Sequence, residues 1–222
     1  MEKCLRRQLA SRPLHIVVGF EQEADARRFW DAMRARVEEF ALSLHPDKTR
    51  LIAFGRHAAA RRRRRGLGKP ETFDFLGFTL ICGASRSGGF LIRRKTRRDR
   101  MRAKLKEIKG ELRRRMHRPI PEPGRWLRQV VAGFFAYHAV PTNGRALAAF
   151  RYHVIGLWRR ALRRRGQRGD LTWRRIAALA DDWLPRPRTL HPWPQQRFAV
   201  KHPRWEPYAG MPHVQICAGG GP

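Results

Sequence analysis

Acidic residues are scarce in this chain of 222 residues: 18 Asp and Glu stand against 49 Lys and Arg, for a formal net charge of +31. A small soluble domain usually carries a net charge of magnitude about 2–8. The surplus excludes a surface built around acidic groups and calls for a polyanionic partner. Cysteine is also scarce. Cys4, Cys82 and Cys217 lie far apart, which leaves no Cys-x-x-Cys pair and no disulfide framework and fits a reducing compartment. That spacing argues against structural zinc. Long apolar runs are missing: the longest, Val130 to Val140, contains His138 and falls short of the ~20 residues that span a bilayer. Leu14 to Phe20 makes a poor signal-peptide core without a small-residue cleavage site. The expected location is therefore the cytoplasm, with no membrane partner. No P-loop, Gly-x-Gly-x-x-Gly or Ser–His–Asp arrangement occurs, and His138, His153, His191, His202 and His213 show no metal-ligand spacing.

Hydrophobic residues at 42% and aromatics at 10% suffice for a core, so wholesale disorder is not expected. The length allows one domain or two small ones. After a basic, patternless opening, His15–Phe20 reads as a short buried strand. From Glu21 to Ala41, apolar residues at Ala26, Phe29, Met33, Val37 and Phe40 recur at helical steps, with acidic residues in the first turn. His45–Lys48 reads as a turn, Leu51–Phe54 as a strand, and the arginine run Arg61–Arg65 as an exposed, mobile loop. Phe73–Ile81 carries a strong strand signal, and Phe90–Ile92 pairs back across a turn at Ser85–Gly89.

Near Lys95 the composition changes. Met101, Leu105, Ile108, Leu112 and Met116 form one helical stripe within Asp99–Met116, and Lys or Arg occupies the other faces. Pro119, Pro121 and Pro123 read as a linker. Trp126–Ala139 is a mostly apolar helix, and Pro141–Gly144 breaks it and offers capping groups for the next. Gly144–Arg165 repeats the apolar stripe among arginines. Thr172 is a candidate N-cap for a short helix ending near Trp183, and no regular structure is expected beyond Leu184.

A helix with one apolar stripe and arginine elsewhere packs inward while presenting guanidinium groups outward. Such groups fit phosphate oxygens in pairs and stack on bases. Arg102, Lys106, Arg113, Arg151, Arg159 and Arg163 are the candidate phosphate contacts, and binding should weaken steeply with salt. Replacing Arg151 and Arg159 by Glu should weaken binding while leaving the fold intact. The plainer alternative is a solvated arginine-rich surface produced by a GC-rich coding sequence, which accounts for Arg over Lys but not for 49 against 18. RNA is preferred over duplex DNA, because no helix-turn-helix, zinc finger or zipper is present and a broad basic face suits folded RNA. Trp126, Trp158, Trp173 and Trp193 could stack on splayed bases, although Trp158 sits on an apolar stripe and reads as core. Asp181–Asp182 is the kind of acidic pair that holds Mg²⁺. Adjacent helical residues point about 100° apart, so a solvated pair is the better reading.

Taken together, Ile16–Phe20, Leu42–Thr49 (Leu-Ser-Leu-His-Pro-Asp-Lys-Thr), Phe73–Phe78 (Phe-Asp-Phe-Leu-Gly-Phe) and the block Gly133–Trp193 resemble, in order and spacing, the C-terminal half of bacterial group II intron reverse transcriptases. The resemblance covers roughly residues 14–194, and Arg151–Arg165 followed by Leu171-Thr172-Trp173 is similar to the family's maturase domain, domain X or thumb. It implies an α+β fold: a partial reverse-transcriptase palm of short antiparallel strands plus a helix, then an α-helical thumb/maturase bundle and an irregular tail. The implied divisions are a basic segment at 1–13, the partial palm at 14–96, the thumb at 97–190 and the tail at 191–222. By the same resemblance Lys48 matches a lysine near nucleotide and template, and Phe75, Leu76 and Gly77 match the primer-grip region. The family's Tyr-Ala-Asp-Asp box corresponds to Arg12, Pro13, Leu14 and His15, so neither aspartate position has a carboxylate. The upstream fingers and first palm motifs are absent, and no HNH module is recognisable after Pro194.

The implied function is that of a truncated group II intron reverse transcriptase/maturase-like protein. It binds structured intron RNA, and in the family template–primer as well, through a basic thumb. No catalytic residue, metal ligand or autonomous polymerase site is expected in this chain. Mg²⁺ would enter only through a catalytic partner fragment. The alternatives are the thumb-bearing piece of a split RNA-directed DNA polymerase and a non-functional gene remnant.

Overall fold

The structure is a computed structural model describing residues 16–45, 49–165, 171–194 and 196. It is α+β. Among the described residues six helices, α1 (Glu23–Glu38), α2 (Ala58–Arg64), α3 (Arg98–Arg114), α4 (Pro121–His138), α5 (Gly144–Arg163) and α6 (Trp173–Trp183), accompany three strands, β1 (Phe73–Phe75), β2 (Phe78–Ala84) and β3 (Phe90–Thr96). The strands form an antiparallel sheet in the order β1-β2-β3.

Most of the core lies where helical periodicity is longest. The apolar stripe of α3 places Ile108 and Leu112 against α5, whose Phe150, Val154 and Trp158 are buried to the last atom. Helix α4 adds Leu127, Val131 and Phe135, and α6 adds Ile176 and Ala180. Trp158 is thus core, as its place on the stripe implies. Gly124 is required by close approach: a Cβ there would stand 2.7 Å from Cδ2 of Trp183, so the indole packs on the bare backbone of α4. Thr172 caps α6, its Oγ1 accepting from the Arg175 N–H at 3.3 Å.

Several sequence expectations change. Ile16–Phe20 and Leu51–Phe54 form no strand. A strand must satisfy its backbone against a neighbour, and among the described residues neither segment has a ladder partner. Leu51–Phe54 instead runs beside the sheet, with Phe54 edge-on to Phe73 at 4.9 Å and the Gly55 N–H 3.4 Å from Cys82 Sγ. The arginine run is helical rather than a loop. Ala58–Ala60 start α2 with strong helix formers, Ala58 is fully buried, and Arg62 is tied to Glu71 at 3.1 Å. Pro121 and Pro123 lie inside the first turn of α4, where a missing N–H costs nothing, rather than in a linker.

Phe73–Ile81 is not one strand but two. Leu76 (φ +46°) and Gly77 (φ +78°) make a two-residue turn that pairs Phe75 with Phe78. Both central residues are left-handed, as the turn that suits the twist of a hairpin requires. Tyr137 of α4 holds the turn, its hydroxyl donating to the Leu76 carbonyl at 2.7 Å. The β2–β3 hairpin forms as expected and runs on to Thr96.

The sheet is stitched to the bundle by the loop between α4 and α5. Asn143 is almost fully buried. Its Oδ1 accepts from the Thr96 N–H at 2.9 Å, and its Nδ2 donates to Thr96 Oγ1 and to the His138 carbonyl, each at 2.8 Å. Thr142 Oγ1 accepts from the Arg94 N–H at 2.8 Å. Asn143 precedes α5 but makes no side-chain cap bond, because its amide is spent on the sheet.

Candidate nucleic-acid interface

On α3 a row of cations and the pair Glu107 and Glu111 lie on different flanks, and Asp99, beside the first turn of the row, is taken up by Arg97 at 2.7 Å. Arg98, Arg102, Lys106, Lys109 and Arg113 follow steps of four, four, three and four, so they share one side of the helix. All five are exposed. Glu107 and Glu111 lie on the other flank, where they pair with Lys104 at 2.8 Å and with Arg114 and Arg115. The cationic flank is about 22 Å long at 1.5 Å per residue. Three of the candidate contacts, Arg102, Lys106 and Arg113, are therefore gathered into one row.

Helix α5 brings a second set to the same end of the bundle. Arg165, just beyond its last turn, donates to the Arg118 carbonyl, which lies a few residues past the end of α3. The C-terminal turns of α3 and α5 thus lie close together, and Arg113 and Arg163 belong to one end. Arg114, Arg118 and Arg164 are exposed at that end too. Part of this clustering serves the helices themselves, since cations in a last turn offset the negative end of the macrodipole. That accounts for a fraction of a charge per helix, far less than the cations present.

Arg151 belongs elsewhere. Its guanidinium turns toward α6, where it donates to the Ala180 and Pro185 carbonyls at 3.2 Å and to Asp181 at 2.6 Å. It adds a second donor to the Ala180 carbonyl, which already accepts from the Leu184 N–H at 2.8 Å, and covers the Pro185 carbonyl just past the end of α6. The Asp181 carboxyl is held below its ordinary pKa by the hydrogen bond from Arg151, and Arg186 assists. A glutamate at 151 would face Asp181 and those carbonyls, so the expectation that Arg151→Glu leaves the fold intact is revised. Asp181, one half of the acidic pair, is engaged by Arg151 and Arg186. Arg159 is half committed: its Nε donates to the Leu171 carbonyl at 2.9 Å, and its guanidinium carbon stands 5.8 Å from the centre of the Trp173 ring. Sequence reasoning missed the internal roles of Arg151 and Arg159 because their carbonyl partners lie 12 to 34 residues away.

Of the residues matched by resemblance, Phe75, Leu76 and Gly77 form the hairpin turn, with Leu76 exposed at its tip. Lys48 and Arg12–His15 lie outside the described residues, as do residues 1–13 and 197–222 of the expected end segments. Trp126 is partly buried against the core under Arg115, and Trp173 and Trp193 are partly exposed. A cavity of about 630 Å³ opens between α1, Leu51–Phe54 and α2, lined by Trp30, Arg34, Arg61 and Arg65 together with Glu23 and Asp31. Its mixed charge sets it apart from the row on α3.

Among the described residues, no three His, Cys, Asp or Glu side chains converge as a metal site, and no helix is long and apolar enough to cross a membrane. Comparison with protein-family models, curated proteins and solved structures finds no match to this chain.

Proposed function

We propose that the protein binds structured RNA through the cationic flank of α3 and the arginine-rich end it shares with α5, acting as a group II intron maturase-like thumb behind a palm-like sheet. The observation that carries this reading is the separation of charge on α3: among the described residues, Arg102, Lys106, Lys109 and Arg113 form a row with no acidic partner, while Glu107 and Glu111 pair with other cations on a different flank and Asp99 pairs with Arg97. Unpaired guanidinium and ammonium groups in a row neutralise successive phosphates and release counterions. Among the described residues no reading head for a DNA groove accompanies them, which favours the shape and backbone of folded RNA.

The test is equilibrium binding to a group II intron RNA and to duplex DNA over a range of salt. Affinity for the RNA should fall with log–log slope of about −3 or steeper, given about −0.7 to −0.9 per phosphate neutralised. The double variant Arg113→Glu/Arg163→Glu should keep its circular dichroism and lose at least about tenfold in affinity. A flat salt response, or unchanged affinity in the double variant, overturns the reading.

A specific observation favours a second reading, that of a thumb-bearing piece of a split RNA-directed DNA polymerase. Ile16, Val17, Val18, Phe20, Phe40 and Leu42 are all exposed around α1, an apolar surface of the kind that a companion polypeptide covers. Primer extension with and without a fragment carrying the metal-binding carboxylates separates the two.

A further inference from the structure

We propose that Tyr152 and Trp173 form a seat on which one unpaired base of the bound RNA stacks; this rests on the RNA-binding reading above. Tyr152 is 58% exposed and Trp173 38% exposed, although Phe150 and Trp158 on the same bundle are completely buried. Their ring centroids are 5.0 Å apart and their planes meet at 49°. Two large rings are thus held together at the surface, outside the core.

The two rings have different supports. Trp173 is fixed from behind. As the first residue of α6 it follows the Thr172 cap, its Cη2 lies 3.9 Å from where a Cβ on Gly156 would be, and Arg159 reaches over its ring. Arg159 is itself anchored on the Leu171 carbonyl at 2.9 Å. Tyr152 leaves more than half of its surface to solvent and is the platform; Trp173 is its backing. A base lying on Tyr152 covers apolar surface that the fold leaves open.

Charge surrounds the rings in the pattern a nucleic-acid strand requires. Tyr152, Gly156, Arg159 and Arg163 follow one another at steps of four, three and four, and Arg145 lies seven residues before Tyr152, so all share one face of α5. A base on Tyr152 has a cation toward each end of that face for its flanking phosphates. Aromatic rings between cations bind bases of any identity, because every base offers a π-face. Paired bases in a helix present no such face. The ligand is therefore a looped-out or single-stranded nucleotide within folded RNA, and the row on α3 holds the neighbouring backbone.

The experiment compares an RNA hairpin with an unpaired loop against a blunt RNA duplex of equal length, using wild type, Tyr152→Ala and Tyr152→Phe. A fluorescent purine analogue sits in the hairpin loop. Stacking on one aromatic is worth enough that Tyr152→Ala should weaken hairpin binding by about tenfold. The same variant should bind the duplex as wild type does, and Tyr152→Phe should bind both as wild type does. Wild type should quench the analogue and Tyr152→Ala should not. Binding of the hairpin by Tyr152→Ala at wild-type affinity, or equal losses on hairpin and duplex, overturns the seat while leaving the RNA-binding reading in place. Failure of wild type to bind either RNA overturns both.

Discussion

Helices α1 and α5 are both amphipathic, with apolar residues at steps of three and four, yet α1 buries only Ala26 whereas α5 buries eight residues from Ala146 to Ala161. The difference lies in what surrounds them. Helix α5 is enclosed by α3, α4 and α6, and every apolar side chain on its stripe meets another. Helix α1 faces two segments that form no strand, and Phe29 remains 40% exposed. Periodicity specifies which face of a helix is apolar, but only a partner turns that face into a core. The two regions should therefore respond very differently to the same truncation.

The sharpest contrast is between Trp158→Ala and Phe29→Ala. Emptying a fully buried tryptophan site should cost about 3–5 kcal/mol, while the exposed phenylalanine should change stability by no more than about 0.5 kcal/mol. Urea unfolding followed by circular dichroism measures both; similar losses would mean that α1 is packed after all. Asn143→Ala comes next. It leaves the Thr96 N–H and the Thr96 hydroxyl buried without their Asn143 partner, at about 1–3 kcal/mol for each group left unsatisfied, while the His138 carbonyl keeps the Val140 N–H at 2.8 Å. Hydrogen exchange should show the sheet loosening while α5 stays protected. If both regions open together, the sheet and the bundle unfold as one unit.

Arg151→Ala has a smaller effect, about 1–3 kcal/mol from the lost charge-assisted bonds to the end of α6. Amides of α6 should exchange faster, and RNA affinity should fall far less than in Arg113→Glu. A large affinity loss with α6 intact would return Arg151 to the binding surface. The gentlest probe is pH. His138 is half-buried, stacked 4.1 Å from Phe134, and burial pushes its pKa below the ordinary 6.5, against the opposing hydrogen bond of its Nδ1 to the Phe134 carbonyl. The folded state thus prefers neutral imidazole, and the unfolded chain binds the extra proton. Stability from this group is complete above pH of about 6.5 and declines as pH falls through that value toward the lower folded pKa. The melting temperature should drop between pH ~7 and ~5, and His138→Phe should flatten that slope. An unchanged slope would show that other groups control it.

How much was legible in the sequence differs by element. The helices at Glu23–Glu38, Arg98–Arg114, Gly144–Arg163 and Trp173–Trp183 follow from apolar spacing, with Thr172 marking the start of the last. The hairpin turn at Leu76–Gly77 was hidden inside the strand-like run Phe73–Ile81, because Gly77 alone marked it and leucine gives no signal for a left-handed turn. It is stabilised from outside, by a hydroxyl 61 residues away on Tyr137. The candidate contacts divide in the same way. Arg102, Lys106 and Arg113 fall on one flank by helical arithmetic alone, whereas the commitment of Arg151 depends on where α6 ends.

The amino-acid sequence by itself determined the surplus of positive charge, the positions of the long helices and the faces on which their cations fall. These follow from composition and from bonds that close within four residues along the chain. Only the tertiary structure decided which apolar faces were covered, which extended segments found a sheet, which arginines were drawn inward, and that the ends of α3 and α5 meet. Each of those outcomes depends on a partner distant in sequence, and a backbone group or side chain settles into whichever partner the folded chain brings within reach.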